Sequence, residues 1–489
     1  MNDASRDINL SLISHTNAGK TTLARTLLAQ DVGEVRDAPH VTEIATAYPM
    51  LKGEDGAALT LWDTPGFGDT ARLLRRLRLT GNPVGWLLSQ VWDRWRERPF
   101  WCSQQAVRNA RDHADIVLYL VNAAEDPADA GYVDLEMQIL EWIGKPVILL
   151  LNQMGPPRPD SAAEAGKWRR HLQRFSIVHE VLPLDAFARC WVQEDVLLQK
   201  IAPLLPDAKR PAFQRLSALW RRNNRERFAQ AMDILAGQLA QAAIDREPLG
   251  ESNWQTQLAG LLGASRQREQ KRAMEGLAQR LDAAIRASTD TLIALHGLQG
   301  KAAGEVLRRL RENFAASEPV KAGKAAVLGG LVSGAMGGLA ADLAAGGFTF
   351  GAGMLAGGIA GALGASGVAH ALNLVRGEKE AALRWSAEFY EGLVRSALLR
   401  YLAVAHFGRG RGDYTQSESP PFWQDMVAAE VAARRAEVRE IWERGKSVPG
   451  PEPLRAPLAA LLEGCAGRLL AALYPHAADD NEKPAQTGR

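Results

Sequence analysis

Cysteine and net charge are what this sequence has least of. Its three cysteines, Cys102, Cys190 and Cys465, stand far apart in 489 residues. That spacing excludes a disulfide framework and a cysteine metal cluster, and it reads as a chain of the reducing cytosol. With 58 Lys and Arg against 56 Asp and Glu, the formal charge is only +2. Composition therefore gives no electrostatic case for nucleic acid, and none is expected as a partner. The short polar start, Met1 to Asp7, has no signal-peptide pattern. After residue 205 no nucleophile–base pair and no metal-ligand spacing occurs, so chemistry is expected only before it. The length predicts two to four domains.

What is present begins with Ser14-His15-Thr16-Asn17-Ala18-Gly19-Lys20-Thr21-Thr22, after the apolar run Ile8 to Ile13 and before Leu23-Ala24-Arg25-Thr26-Leu27-Leu28. Strand, tight loop and helix are the setting in which a phosphate-binding loop has meaning. Successive backbone N–H groups, from Asn17, Ala18 and Gly19 to Lys20, Thr21 and Thr22, would converge on phosphate at a helix N-terminus. Lys20 would reach the β- and γ-phosphates and the Thr21 hydroxyl would hold Mg²⁺. The usual pattern opens with Gly; here Ser14 stands there, which alters the start of the loop.

A second half of the signature comes next, Trp62-Asp63-Thr64-Pro65-Gly66 after the strand-like Ala57-Ala58-Leu59-Thr60-Leu61. Asp63 at a strand end places a carboxylate beside Mg²⁺, and the Gly66 N–H is free to meet a γ-phosphate. The two halves together favour a GTPase over a generic P-loop ATPase. Residues 31–47 sit where a first switch loop belongs, with Thr42 as Mg²⁺ and γ-phosphate ligand, Thr46 as its rival, and an ordinary loop threonine as the alternative. Phe67 occupies the place where many GTPases orient water with glutamine, so hydrolysis is expected to be slow or to need another group. Asn17 either helps to hold K⁺ against the phosphates or only shapes the loop.

Residues 82–101 read as an insertion with Trp86, Trp92, Trp95 and Trp101. Val84, Leu87, Leu88, Val91, Trp92 and Trp95 share one helical face, and Arg94, Arg96 and Arg98 crowd the other. This is either a lever for a partner helix or lipid headgroups, or an extra helix packed on the domain. Ala114 to Asn122 and Pro146 to Leu151 are continuous apolar runs, as in strands buried on both faces. Between them Tyr132 to Ile143 reads as a helix stopped at Gly144. The second run leads into Asn152-Gln153-Met154-Gly155, where guanine-reading GTPases have Asn-Lys-x-Asp: Asn152 is kept, and Gly155 replaces the base-reading carboxylate. Asp185, after a last strand within Phe175 to Leu184, is a candidate replacement. The pattern predicts an α/β P-loop GTPase domain over 1–205, with a mostly parallel sheet and helices on both faces.

Asn17-Ala18-Gly19-Lys20-Thr21-Thr22 with Asp63-Thr64-Pro65-Gly66-Phe67 resembles the Era/TrmE-like branch of translation-factor-class GTPases. The whole chain, including Asn152-Gln153-Met154-Gly155-Pro156-Pro157, resembles a bacterial group that joins such a GTPase to a C-terminal domain of unknown function. The resemblance implies GTP and GDP, Mg²⁺ and switch behaviour.

Beyond Pro206 and Pro211 the pattern is helical, first from Phe213, then from about Trp254 to Phe314, giving antiparallel helices of a bundle over 206–320. His296 reads as a satisfied core histidine. From 325 to 375 the only acid is Asp342, and glycine recurs at Gly330, Gly334, Gly338 and at Gly353, Gly357, Gly361. Small residues at four-residue spacing let helix backbones approach closely. Lys321 and Lys324 precede the segment, and Arg376 and Lys379 follow it, which suits an apolar hairpin over 321–376 with both ends cytoplasmic. It would touch or span membrane lipid, or be buried within the helical domain. Helices are expected at Glu378 to Ala405, Val427 to Trp442 and Leu454 to Leu473, with a loop from Phe407 to Pro421 and a disordered tail from His476.

The order of parts resembles the layout of dynamin-like GTPases. It predicts a slow GTPase switch at the inner face of the cytoplasmic membrane, coupled to a membrane-associated helical domain. The alternative is a nucleotide-binding adaptor for an unidentified protein partner. A homo-oligomer is left open.

Overall fold

The computed structural model describes residues 6–16, 18–28, 44–79, 81–89, 97–154, 161–184, 190–248, 262–298, 372–376, 381–407 and 421–474. Its contacts divide the chain into two units, one containing the residues up to Arg225 and the other starting at Glu226.

The first unit is built on strands β1 (Ile8–Ser14), β2 (Thr46–Lys52), β3 (Ala58–Asp63), β4 (Ile116–Asn122), β5 (Val147–Asn152) and β6 (Val178–Pro183). They form one sheet in the order β2-β3-β1-β4-β5-β6. Every neighbouring pair is parallel except β2 with β3. The period of two explains why β4 is apolar throughout. Ile116, Leu118 and Leu120 enter one core with residues of α1 (Lys20–Leu28) and α7 (Trp191–Ile201). Val117, Tyr119 and Val121 enter the other, which takes in residues of α2 (Thr70–Leu77), α4 (Arg98–Asp112), α5 (Gly131–Ile143) and α6 (Ser161–Leu172). A strand buried on both faces needs apolar residues at every position.

Strand β2 was not anticipated, since Thr46 and Ala47 read as the end of a loop. It is an edge strand, the place in a sheet where a proline such as Pro49 is tolerated, and the register shifts between Pro49 and Leu51. Within the insertion the described residues form α3 (Pro83–Ser89) and the start of α4, at Arg98. Leu87, Phe100, Trp86, Trp101, Val84 and Leu88 pack into the same core as β4 and β5, the behaviour of ordinary packed helices. Val91, Trp92, Arg94, Trp95 and Arg96 lie outside the described residues.

The second unit contains most of α8 (Arg210–Ile244) and also α9 (Leu262–Leu295), α10 (Ala387–Ala405), α11 (Pro421–Ala433), α12 (Arg435–Arg444) and α13 (Glu452–Leu473). The region is mostly helical, as expected, but carries a three-stranded antiparallel sheet that the sequence did not suggest. Strands β7 (Arg246–Pro248), β8 (Leu372–Arg376) and β9 (Ala381–Trp385) pair in the order β7-β9-β8. This corrects two expectations. The hairpin's last residues form a strand, and the helix assigned from Glu378 starts only at Ala387. The reason is long-range: β9 pairs Leu383 with Glu247 and with Leu374, contacts that local periodicity does not report. The rest of the Gly-rich segment, residues 408–420 of the loop expected from Phe407 to Pro421, and the tail expected from His476 lie outside the described residues.

Helices α8, α9 and α10 share one buried cation. Arg400, 4% exposed, donates through Nη1 to Ile285 O, Ser288 Oγ at 2.9 Å and Thr289 Oγ1 at 2.8 Å, and through Nη2 to Gln238 Oε1. His296 is the satisfied histidine the sequence suggested, with Nδ1 2.9 Å from Leu292 O and its ring 6.3 Å from that of Tyr401. One described helix, α13, is long and apolar enough to cross a membrane. Its Leu454, Leu458, Leu461, Leu462, Leu469 and Leu470 are buried, as in a core helix.

Candidate nucleotide site

In this sheet β1 lies between β3 and β4, so the segments leaving the carboxyl ends of β1 and β3 meet above one point. The chain between β1 and α1 makes its last turn at Gly19, with φ +88°, a left-handed conformation that costs a side-chain-bearing residue. A Cβ there would also lie 2.7 Å from Nδ2 of Asn152. Asn152 is fully buried at the end of β5, and its Nδ2 donates to Ala18 O at 2.9 Å. It braces the loop from the neighbouring strand.

Lys20 begins α1, is 7% exposed and donates from Nζ to Ser14 Oγ at 2.8 Å. The residue that breaks the usual glycine pattern thus supplies the ammonium's acceptor. Burial pushes the Lys20 ammonium down to about 8, with Asp63 and Glu136 opposing the shift. One residue on, Thr21 Oγ1 donates to Asp63 Oδ2 at 2.7 Å. A hydroxyl and a carboxylate meeting at one point form a hard oxygen donor set of the kind Mg²⁺ takes. Thr22 is also buried, within the first turn of the helix.

The strand-end segment folds back over the loop. Thr64 Oγ1 donates to Leu12 O at 2.5 Å. Gly66 passes so close that a Cβ on it would lie 2.9 Å from Thr16 Cα and 3.1 Å from Lys20 Nζ. The Phe67 N–H donates to Ser14 O at 2.9 Å, and the Thr16 N–H donates to Phe67 O at 3.2 Å. The Phe67 ring is fully buried in the core with Leu73, Leu74 and Leu77. It points away from the site.

Seven of the residues singled out in the sequence are therefore brought together: Ala18, Gly19, Lys20, Thr21, Asp63, Gly66 and Asn152. Asn17, Thr42 and Asp185 lie outside the described residues. Thr46 is exposed at the start of β2, paired in register with Asp63, and its hydroxyl donates to Ile44 O. Sequence reasoning missed Glu136, a fully buried carboxylate behind the loop that accepts from His15, Thr70 and Tyr119. The available signal was an acid on the buried stripe of α5, between Val133 and Leu140. The described residues contain no group of three or more metal-ligating His, Cys, Asp or Glu side chains.

Residues 9–153 match the family described as 50S ribosome-binding GTPase, and residues 169–461 match the family described as domain of unknown function DUF3482. GTPase Era of Heliobacterium modesticaldum is 27% identical over 145 residues, 30% of this chain and 39% of that protein. Among solved structures, an Aquifex aeolicus Era variant bound to GDP·AlF4⁻ is 17% identical, with TM-score 0.30, over 41% of this chain and 58% of that one. Era in complex with MgGDPNP and nucleotides 1506–1542 of 16S ribosomal RNA is also 17% identical, with TM-score 0.29 and the same coverage of both chains. The chain thus spans less than two thirds of the length of each of these relatives.

Proposed function

We propose that this chain, which belongs to the DUF3482 family of domains of unknown function and carries an Era-like P-loop GTPase domain ahead of that region, is a slow GTPase switch coupled to a membrane-associated helical domain. The observation that carries the nucleotide reading is the convergence of Lys20, the Thr21–Asp63 pair and Gly66 on one end of α1. Lys20 would exchange Ser14 for phosphate oxygens, and the Gly66 N–H would meet the γ-phosphate. Thr21, Asp63 and Thr42 would hold Mg²⁺, which when bound neutralises negative charge on the phosphates. Asn17 would support K⁺, and Asn152 with Asp185 would border the base.

With the Phe67 ring buried, that side chain orients no water, which supports slow hydrolysis. The same observation favours the alternative of a nucleotide-binding adaptor with a protein partner. The membrane reading rests on the composition of residues 325–371 and their flanking lysines. A nucleic-acid partner stays within the proposal, since the GTPase family is described as ribosome-binding and Era in one solved complex holds ribosomal RNA.

Binding of fluorescent GDP and GTP, with and without Mg²⁺, tests the core of the proposal. Turnover in K⁺ against Na⁺, with and without anionic liposomes, then separates its two forms. Hydrolysis above background under any of these conditions supports the switch. Tight binding without hydrolysis supports the adaptor, and no binding of either nucleotide refutes both. Ribosome co-sedimentation over a salt series tests the nucleic-acid partner.

A further inference from the structure

Glu136 is a fully buried carboxylate that the nucleotide reading leaves without a role. An uncompensated carboxylate in such a place is costly, so its partners indicate what it is for. Oε1 lies 2.7 Å from His15 Nδ1 and accepts from Thr70 Oγ1 at 3.0 Å, and Oε2 accepts from the Tyr119 hydroxyl at 2.6 Å. These donors come from the phosphate loop, the first residue of α2 and the middle of β4. The His15 ring is held further by Tyr132, with centroids 4.5 Å apart, and the Tyr132 hydroxyl donates to Glu125 Oε2 at 2.8 Å.

A second set of contacts closes the same circuit. Phe67 is bonded through its backbone N–H and C=O to Ser14 and Thr16, on either side of His15. The span from Phe67 to Thr70 is therefore fixed at both ends to the three residues 14–16, at one end directly and at the other through Glu136. Within that span the Gly68 N–H donates to Ser103 Oγ at 3.2 Å, and Asp69 caps α2 by accepting from the Arg72 N–H. A span this short and this well anchored has little slack. Such a span would pass a displacement at Gly66 on to α2 rather than absorb it in the loop.

We propose that Glu136 is a positioning residue that links His15 of the phosphate loop to Thr70 of α2, so that loop and helix respond to the γ-phosphate as one piece. This rests on the guanine-nucleotide reading above. It predicts that breaking the link lowers discrimination between GTP and GDP while leaving binding of the shared α- and β-phosphates.

The test uses the full chain, measuring affinities for GDP and for a non-hydrolysable GTP analogue in wild type, H15A, T70A, H15A/T70A and E136Q. T70S keeps the hydroxyl and serves as the conservative variant, E141Q on the exposed face of α5 serves as control, and thermal melting reports on the fold. The expected result is a fall of about tenfold in the analogue-to-GDP affinity ratio in H15A and T70A. The double variant should be no worse than the weaker single, T70S and E141Q should match wild type, and GDP affinity in T70A should change by less than about threefold. The inference is overturned if analogue and GDP affinities fall together, if the two single effects multiply, or if only melting temperatures change. None of these outcomes depends on E136Q, so its failure to fold would not protect the proposal. A wild type that binds neither nucleotide removes the guanine reading and this inference with it. A wild type that binds both, with unaltered ratios in the variants, removes this inference alone.

Discussion

At the scale of a single residue, Lys20 is a buried cation at the proposed phosphate site. Its ammonium is buried, hydrogen-bonded to the Ser14 hydroxyl and pushed down to about 8 by desolvation. The drop from the ordinary 10.5 corresponds to a folding penalty on the order of 3 kcal/mol for the nucleotide-free protein. Lys20→Met removes that penalty and keeps most of the volume. It should raise stability at pH 7 by about 1–3 kcal/mol while abolishing the thermal shift expected from GDP in wild type. A variant that is destabilised, or that still shifts with GDP, contradicts this account. The residue types at this site were legible: Gly19, Lys20, Thr21, Asp63 and Gly66 match what the proposed phosphate and divalent cation would require, and the structure brings them together. Ser14 looked like a flaw in the pattern and becomes the acceptor for Lys20 only once β1 and α1 are placed together.

At the scale of elements, the helical unit is tied across α8, α9 and α10 by Arg400, whose N–H groups donate to the neutral acceptors of Gln238, Ser288, Thr289 and Ile285. Burial pushes this guanidinium down to about 10, so it stays charged at pH 7. Arg400→Ala strands several buried acceptors at once and should cost about 3 kcal/mol or more, measured as the urea midpoint by circular dichroism. Arg400→Lys should recover only part of this, because one ammonium cannot reach all of the acceptors of a fork. GDP binding should survive both changes.

His296, near the end of α9, predicts a pH dependence. Burial moves it from 6.5 down to about 4, partly opposed by its bond to Leu292 O. Between those values the unfolded chain binds the extra proton, so stability present above pH 6.5 is lost as pH falls toward 4. The loss is on the order of 2 kcal/mol, allowing for partial solvent screening. His296→Gln should flatten that slope between pH 6.5 and 4 relative to wild type. A satisfied histidine was readable here from spacing alone, though the structure places it in the turn just past α9. The sheet of β7, β9 and β8 was not, because its strands are drawn from residues 246–248, 372–376 and 381–385 and owe their conformation to each other.

For the whole molecule, membrane coupling reduces to the segment between α9 and β8. Because β8 begins at Leu372 and pairs with β9, a deletion that tests the segment must stop at residue 371. Deleting residues 325–371 should release the protein from carbonate-washed membranes if those residues anchor it, while GDP binding persists. If full-length and deleted chains are both found in the soluble fraction, the glycine stripes are internal packing and the adaptor reading gains. The chain's near-neutral charge spoke against nucleic acid only as an average over the molecule. Liposome and ribosome sedimentation of the same two chains would separate those surfaces directly.

The sequence alone determined the phosphate loop, the Asp63–Gly66 segment, the buried parallel strands and the helical character of most of the chain beyond Pro206. Each rests on local chemistry: a glycine where backbone must pass, a lysine and hydroxyl for phosphate and metal, an apolar residue at every position of a strand covered on both faces. Tertiary structure alone decided which face of the sheet each strand residue serves, the retreat of Phe67 into the core, the antiparallel edge strand β2 and the three-stranded sheet of the second unit. It also decided the meeting of His15, Thr70 and Tyr119 at Glu136. Those contacts join residues tens to more than a hundred positions apart, and a buried carboxylate is stable only where distant donors converge on it, a condition that no stretch of sequence carries by itself.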